Sequence, residues 1–300
     1  MKIIILGASG LVGGNCMRYF NIKEELEVVG TYFSYQAKDT VKFNTLDLDD
    51  PENFDIESFN PDVILHCGAL TWVDYCEENV EESYQKTVQS TLNAIELSKK
   101  YDAKLVYIST DYVFDGTDGP YNENHPVNAL SVYGKHKLEA EQAVEKALPN
   151  DHLILRITNV YGDEERNKNF IARMLDNVVK NEAMDIKLPF DQYATPINAS
   201  DIARALYLLL KDGKNGIYNI ASTDFVNRVQ LTDLILKYFP DHQISITPIS
   251  TESMNQKAPR PLVGGLISAK FLSEYPDFHF TNVDDYLRRK ITELQTSPLA

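Results

Sequence analysis

Short apolar runs alternate with longer amphipathic stretches through the first half of the chain. Lys2–Leu6 reads as a buried strand, and Leu26–Thr31, Val41–Asn44, Asp62–His66, Lys104–Ser109 and His152–Ile157 as further strands. Leu11–Phe20 and Val80–Lys100 have helical periodicity. Tyr133–Ala147, rich in Glu, Lys, Ala and Leu and stopped by Pro149, reads as another helix. Strands alternating with helices predict parallel pairing through right-handed crossovers, hence an α/β, doubly wound sheet. The second half is less regular. Phe170–Asn181, Ser200–Lys211 and Leu231–Phe239 look helical, and Gly216–Ile220 supplies one more strand. Ile244–Gly265 holds several prolines and reads as loop and small substructure. With no repeat, low-complexity tract or long linker, the expected boundary falls near residue 160. Residues 1–160 would form a nucleotide-binding domain to which 198–220 return, and 161–197 and 221–300 a smaller mixed substrate domain.

Composition narrows the class. The 300 residues carry 44 acidic against 29 basic side chains, a formal charge of −15. Such a chain repels phosphate backbones and anionic lipid heads, so neither a nucleic acid nor a membrane is expected as partner. An anionic small ligand needs a local site of backbone N–H groups and a few cations. The 43% hydrophobic content excludes a disordered protein. Three cysteines without a CxxC pair imply no disulfide framework, and the six scattered histidines lack metal-ligand spacing, so no metal is expected. The apolar run at the N-terminus breaks at Gly7, too early for a signal peptide. A cytoplasmic location is the expectation, and a homodimer is left open as the assembly.

The strongest local motif is Gly7-Ala8-Ser9-Gly10-Leu11-Val12-Gly13, a GxxGxxG turn between the first strand and the first helix. Gly7 permits the tight turn, Gly10 lets backbone approach a pyrophosphate, and the helix N-terminus offers free N–H groups to phosphates. Its place between strand and helix separates it from a mere packing turn. The second strand ends in Gly30-Thr31-Tyr32-Phe33-Ser34, with no acidic residue to hold a ribose 2′-OH. Ser34 is placed to accept a 2′-phosphate, although no arginine stands beside it. NADPH is therefore the expected cofactor, with NADH also admitted. Asp47-Leu48 after the third strand is placed to meet the adenine, and Cys67-Gly68-Ala69 after the fourth gives small residues where a cofactor passes. Core packing accounts for Cys67 equally well.

Four YxxxK pairs occur: Tyr19/Lys23, Tyr133/Lys137, Tyr207/Lys211 and Tyr286/Lys290. The i,i+4 spacing puts both side chains on one helix face, which ordinary surface helices also do. Only Tyr133 follows a strand ending in a hydroxyl pair, Ser109-Thr110, on the rim where doubly wound sheets bind ligands. A ketone accepting hydride develops alkoxide charge and must receive a proton. A phenol can give it, a nearby ammonium eases the transfer, and Thr110 can donate a hydrogen bond to the same oxygen.

Together these residues resemble an extended short-chain dehydrogenase/reductase, and more narrowly the dTDP-4-dehydrorhamnose reductases. The likeness covers nearly the whole chain through GASGLVG, PDVILHCGALTWVDYCEE, VYISTDYVFDG, VYGKHKLEAE, LRITNVYG, DQYATPINASDIA and APRPLVGGL. It implies a Rossmann-type sheet and NAD(P)H-dependent reduction of the 4-keto group of a nucleotide-linked 6-deoxyhexose. Carried over by position, Thr110, Tyr133 and Lys137 match the catalytic trio. Asp111, Tyr112, Thr71 and Val73 match the sugar pocket. Asn169, Phe170, Gln192, Thr195, Pro196 and Arg260 would face the nucleotide half, with Arg260 the best cation for the diphosphate unless it is spent in a salt bridge. The chain departs from the family at Asn159, where a tryptophan is common, so its sugar contacts must differ. Trp72 on the opposite loop either compensates or simply packs.

Two alternatives stand beside the reductase. One is a nucleotide-sugar epimerase or dehydratase of the same superfamily, and dehydration is disfavoured because Tyr112 stands where a glutamate usually follows the Asp111 position. The other is an NADP-binding regulatory subunit without catalysis.

Overall fold

The computed structural model describes residues 1–296. Its centre is a seven-stranded parallel sheet made of β1 (Lys2–Leu6), β2 (Glu27–Tyr32), β3 (Thr40–Lys42), β4 (Val63–His66), β5 (Lys104–Thr110), β6 (His152–Ile157) and, from later in the chain, β9 (Gly216–Asn219). The spatial order is β3-β2-β1-β4-β5-β6-β9, so strand order reverses between β1 and β4. That reversal is the switch point at which the carboxyl ends of the strands open a crevice.

Side-chain alternation builds a core on each face of the sheet. Ile3 and Ile5 face α1 (Leu11–Phe20) and α8 (Ala199–Lys211), packing with Phe20, Ile202 and Leu206. Ile4 and Leu6 face the other way, toward Ile95 of α5 (Ser90–Tyr101) and Val144 of α6 (Val132–Ala147). The periodicity over Val80–Lys100 becomes α4 (Val80–Tyr84), a π-helical turn (Gln85–Gln89) and α5. The π turn directs Thr87 at the loop after β4, where its Oγ1 accepts from Leu70 N at 3.4 Å. Two short helices, α2 (Ile56–Phe59) and α3 (Val73–Glu78), are too brief to show a period in sequence.

The largest correction concerns Ile244–Gly265. Its first part is a strand, β11 (Ile244–Ile249), paired in parallel with β7 (Met184–Pro189) from Ile244↔Met184 to Ile249↔Pro189. Pro248 lacks an N–H, which a two-stranded sheet tolerates because only one side of each strand is paired. β8 (Tyr193–Ala194) and β10 (Val226–Asn227) form a second small antiparallel pair. Around these lie α7 (Phe170–Val179), α9 (Arg228–Leu236), α10 (Ala269–Glu274) and α11 (Val283–Thr296). α7, α9 and α11 share a core through Met174, Ile235 and Tyr286. α9 starts three residues before the sequence suggested, because Asn227 and Gln230 form a capping box. Among the described residues no helix is long and apolar enough to cross a membrane.

Candidate active site

A cleft of about 570 Å³ opens at the carboxyl ends of β1, β4, β5 and β6. Gly7, Gly10, Leu11 and Val12 form one wall, Cys67, Ala69, Thr71 and Val73 a second, and Thr110, Asp111, Tyr112, Tyr133 and Lys137 a third. Asn159, Asn169 and Arg228 also line the cleft. Gly7 turns with φ +89°, and a Cβ there would also stand 3.2 Å from Gly68 N, so Gly68 lies beneath the turn. The first turn of α1 carries no side-chain cap at Gly10, which leaves backbone N–H groups directed at the cleft. Ser109 adds a buried hydroxyl without a partner among the described residues. An unmade hydrogen bond at a buried hydroxyl is costly unless a ligand completes it. Small residues, free N–H groups and an orphan hydroxyl fit a dinucleotide here.

Thr110 ends β5 and caps the short turn Asp111–Val113 by accepting from Tyr112 N at 3.2 Å. Its hydroxyl donates to Asp111 Oδ1 at 3.3 Å. Asp111 is buried and accepts at Oδ2 from Thr158 Oγ1 (2.7 Å) and Gly265 N (3.2 Å). Burial pushes its carboxyl above the usual range against the pull of those bonds. α6 brings Tyr133 beside this turn. Ser131 caps the helix by accepting from Gly134 N at 3.2 Å. A Cβ on Gly134 would stand 2.3 Å from Tyr112 O, so only glycine lets the helix seat this close. The rings of Tyr112 and Tyr133 meet edge to face, centroids 5.6 Å apart.

Burial pushes the Tyr133 phenol well above its ordinary range, with a hydrogen bond to Thr110 opposing. The expected easing by Lys137 does not register at the phenol. The ammonium donates instead to Ile108 O at 2.5 Å and sits 4.1 Å from the centre of the Tyr107 ring. Burial lowers Lys137 to about 7, with Glu141 pulling the other way. Cys67 is driven up to about 12 by burial, and it packs partly against the core, so it is a neutral thiol.

Tyr32 is half-buried at the end of β2, Ser34 and Asp47 are exposed, Ser9 is half-buried in the glycine turn, and Leu48 packs against the core that holds Ile4 and Phe43. Thr195 is buried and exchanges hydrogen bonds with the backbone of Leu266, which turns its hydroxyl from the cleft. Arg260 is not a free cation: its Nη2 lies 2.8 Å from Asp74 Oδ1, and its side chain is almost buried. Gln192 borders an adjoining cavity of about 570 Å³ with Trp72, Phe170 and Arg260, and donates to Thr251 and Gln256. Pro196 borders a smaller recess beside it. Asn169 caps α7 by accepting from Ala172 N at 3.0 Å. Trp72 is exposed and stacks on Tyr75 at 5.4 Å. The other YxxxK pairs are structural: Lys23 lies over the Tyr19 and Tyr207 rings, and Tyr286 and Lys290 both bond Asp163.

Four cations bordering these cavities escaped the sequence reading: Arg166, Lys168, Arg173 and Arg228. For Arg228 a signal existed, since Asn227-x-x-Gln230 marks a helix start and puts a cation where the helix dipole opposes it. For Arg173 and Lys168 no local signal distinguishes them from surface charge.

The parallel sheet, its switch-point crevice and the glycine turn define a Rossmann-type protein of the dehydrogenase/reductase class. More narrowly, the chain belongs to the RmlD substrate binding domain family, whose model matches residues 1–295. It is similar to solved dTDP-4-dehydrorhamnose reductases. That of Clostridium acetobutylicum is 27% identical, with a TM-score of 0.82 over 99% of this chain and 100% of that one. That of Bacillus anthracis, in complex with NADP, is 25% identical, with a TM-score of 0.83 over 97% and 99%. A curated relative is methionine adenosyltransferase 2 subunit beta of Danio rerio, 28% identical over 87% of this chain and 80% of that protein.

Proposed function

We propose that the protein is an NADPH-dependent reductase of the 4-keto group of a nucleotide-linked 6-deoxyhexose. The observation that carries this reading is the convergence of Thr110, Tyr133 and Lys137 on the cleft that the glycine turn opens. The turn at Gly7–Val12 would hold the cofactor pyrophosphate, and Ser109 and Lys137 its nicotinamide half. When bound, that cofactor supplies hydride.

Tyr133, kept protonated by burial, is the proton donor to the carbonyl oxygen of the substrate. Thr110 orients that oxygen by exchanging its 3.3 Å bond to Asp111 for one to the substrate. Lys137, one helical turn from Tyr133, must exchange its bond to Ile108 O to steady the phenolate left after transfer. Asp111 holds the turn in place through Thr158 and Gly265 rather than transferring a proton. Asn159, Tyr112, Thr71 and Val73 shape the sugar pocket, while Asn169 and Gln192 face the nucleotide.

The test is oxidation of NADPH with a panel of dTDP- and UDP-linked 4-keto sugars. Turnover that disappears in Tyr133→Phe supports the reading. A second reading, an NADP-binding subunit of another enzyme without catalysis of its own, is supported only by the similarity to a protein named as a subunit, methionine adenosyltransferase 2 subunit beta. Tight NADPH binding with no turnover across the panel would favour that reading.

A further inference from the structure

Arg228 is the first residue of α9, where the positive end of the helix dipole disfavours a cation. Its guanidinium lies over the Phe170 ring, 4.5 Å from the centroid, and Nη2 donates to Asn159 Oδ1 at 3.2 Å. Asn159 reaches that position from a left-handed backbone, φ +39°. Arg173, on the same face of α7 as Phe170, is near enough to repel it. Neither arginine has an ion-pair partner among the described residues, although the chain carries 44 carboxylates against 29 cations.

The carboxylates bordering this space are all committed. Asp74 pairs with Arg260 and accepts from Ala258 N. Asp111 accepts from Thr158 and Gly265. Glu164 accepts from Lys168 N and from Asn169. Among the described residues, a neutral amide is thus the one hydrogen-bond acceptor given to Arg228. Its remaining donors face the cavities that Tyr112 and Asn159 also border, one residue from the catalytic turn. An arrangement that breaks the dipole rule and juxtaposes two unmatched arginines is expected where a ligand completes it.

We infer that Arg228, held by Asn159 and Phe170 and supported by Arg173, binds an oxyanion of the substrate and sets its specificity. This rests on the reading that the cleft takes a nucleotide-linked sugar. Two sources carry such chemistry: the diphosphate, or a carboxylate on the sugar ring. A guanidinium gives two parallel N–H donors to either, from the same cleft that Tyr133 lines.

The experiment measures binding of inorganic pyrophosphate, UDP, dTDP, UDP-glucose and UDP-glucuronate to wild type, Arg228→Gln and Arg228→Lys, with NADPH as control. Arg228→Gln is expected to weaken an oxyanion ligand by about 10- to 100-fold, and Arg228→Lys to recover part of it. NADPH affinity and Tm should stay at wild-type values. Parallel weakening of pyrophosphate and all nucleotides assigns the diphosphate. Weakening of UDP-glucuronate alone assigns a sugar carboxylate. Wild-type affinities for every ligand in Arg228→Gln overturn the inference, as does equal weakening of NADPH, which marks a general packing loss. Arg228-dependent pyrophosphate binding in a protein that reduces no 4-keto sugar nucleotide leaves the oxyanion site standing and removes the reductase reading. Normal reductase activity with no Arg228 effect does the reverse.

Discussion

Lys137 directs its ammonium at the carbonyl oxygen of Ile108, 2.5 Å away, and not at Tyr133, although the two side chains share one helix face. Burial holds its folded pKa near 7, far below the ordinary lysine value of about 10.4. Two consequences have opposite signs. Binding of anionic NADPH favours the charged form, so affinity should fall as pH rises through about 7, with proton uptake on binding. Calorimetry in buffers of different ionisation enthalpy measures that uptake. Stability runs the other way. Between about 7 and about 10.4 the unfolded chain holds the extra proton, so this group makes wild type more stable as pH rises across that window. Lys137→Met should therefore raise Tm most below pH 7, by roughly 3–6 °C, while abolishing turnover. A Tm gain that is equal at acid and alkaline pH would contradict the buried-ammonium account.

Tyr133→Phe should leave NADPH affinity nearly unchanged and lower kcat by about 10²–10⁴-fold, because the phenol gives its proton only in the transition state. The Tyr112 ring keeps its edge-to-face partner in the variant, so the loss should not come from collapse of the wall. Single-turnover rates separate the chemical step from product release. Wild-type kcat at neutral pH would remove Tyr133 from the reaction.

Gly134→Ala tests how the site is held. The new Cβ would lie 2.3 Å from Tyr112 O, so α6 or the turn after Thr110 must move by about an ångström to restore van der Waals contact. A destabilisation of about 1–3 kcal/mol is expected, with kcat reduced well beyond what lost folding explains. Denaturant titration beside kcat of the folded fraction gives the answer. A variant as active and stable as wild type would mean that this close approach does not set the Tyr133 position.

The sheet was legible because its strands are apolar runs bounded by turns, and the proposed trio of Thr110, Tyr133 and Lys137 stood out because Ser109-Thr110 ends a strand just upstream of Tyr133. The same test set aside the other YxxxK copies, where Lys23 and Lys290 turn out to serve ring and carboxylate partners. Lys23→Ala, Lys211→Ala and Lys290→Ala should therefore keep wild-type turnover in folded protein, and loss of activity in any of them would relocate the site. What stayed hidden depends on long-range pairing. β7 and β11 find each other across residues 190–243, and Pro248 disguises the second as loop. Arg260 reads as a free cation until Asp74, far away in sequence, is seen beside it. Arg228 reads as surface charge until Asn159 and Phe170 frame it.

The cofactor preference shows the same dependence on distance. Gly30-Thr31-Tyr32-Phe33-Ser34 carries no carboxylate to repel a 2′-phosphate and no arginine to attract one. The loop after β6 brings one from elsewhere. Arg166 lies over the Tyr35 ring, 4.9 Å from its centre, and borders the cleft beside Gly10 and Leu11. Its loop is tied across the mouth: Arg18 and Asn15 of α1 donate to Asp163 O at 2.6 and 3.0 Å, and Lys38 N donates to Glu165 at 3.3 Å. A guanidinium there can meet a phosphate on the adenosine ribose, and one charge-assisted bond of this kind is worth about 1.5–3 kcal/mol. NADPH should accordingly be preferred over NADH by at least about tenfold in kcat/KM. Arg166→Ala should reduce that preference to near unity, by weakening NADPH while leaving kcat/KM for NADH unchanged, since NADH has no 2′-phosphate to lose. Steady-state kinetics with one 4-keto sugar nucleotide and both cofactors decides it. Equal loss for both cofactors would make Arg166 a structural tie of the loop, and a wild-type preference for NADH would mean that an acidic group reaches the ribose instead.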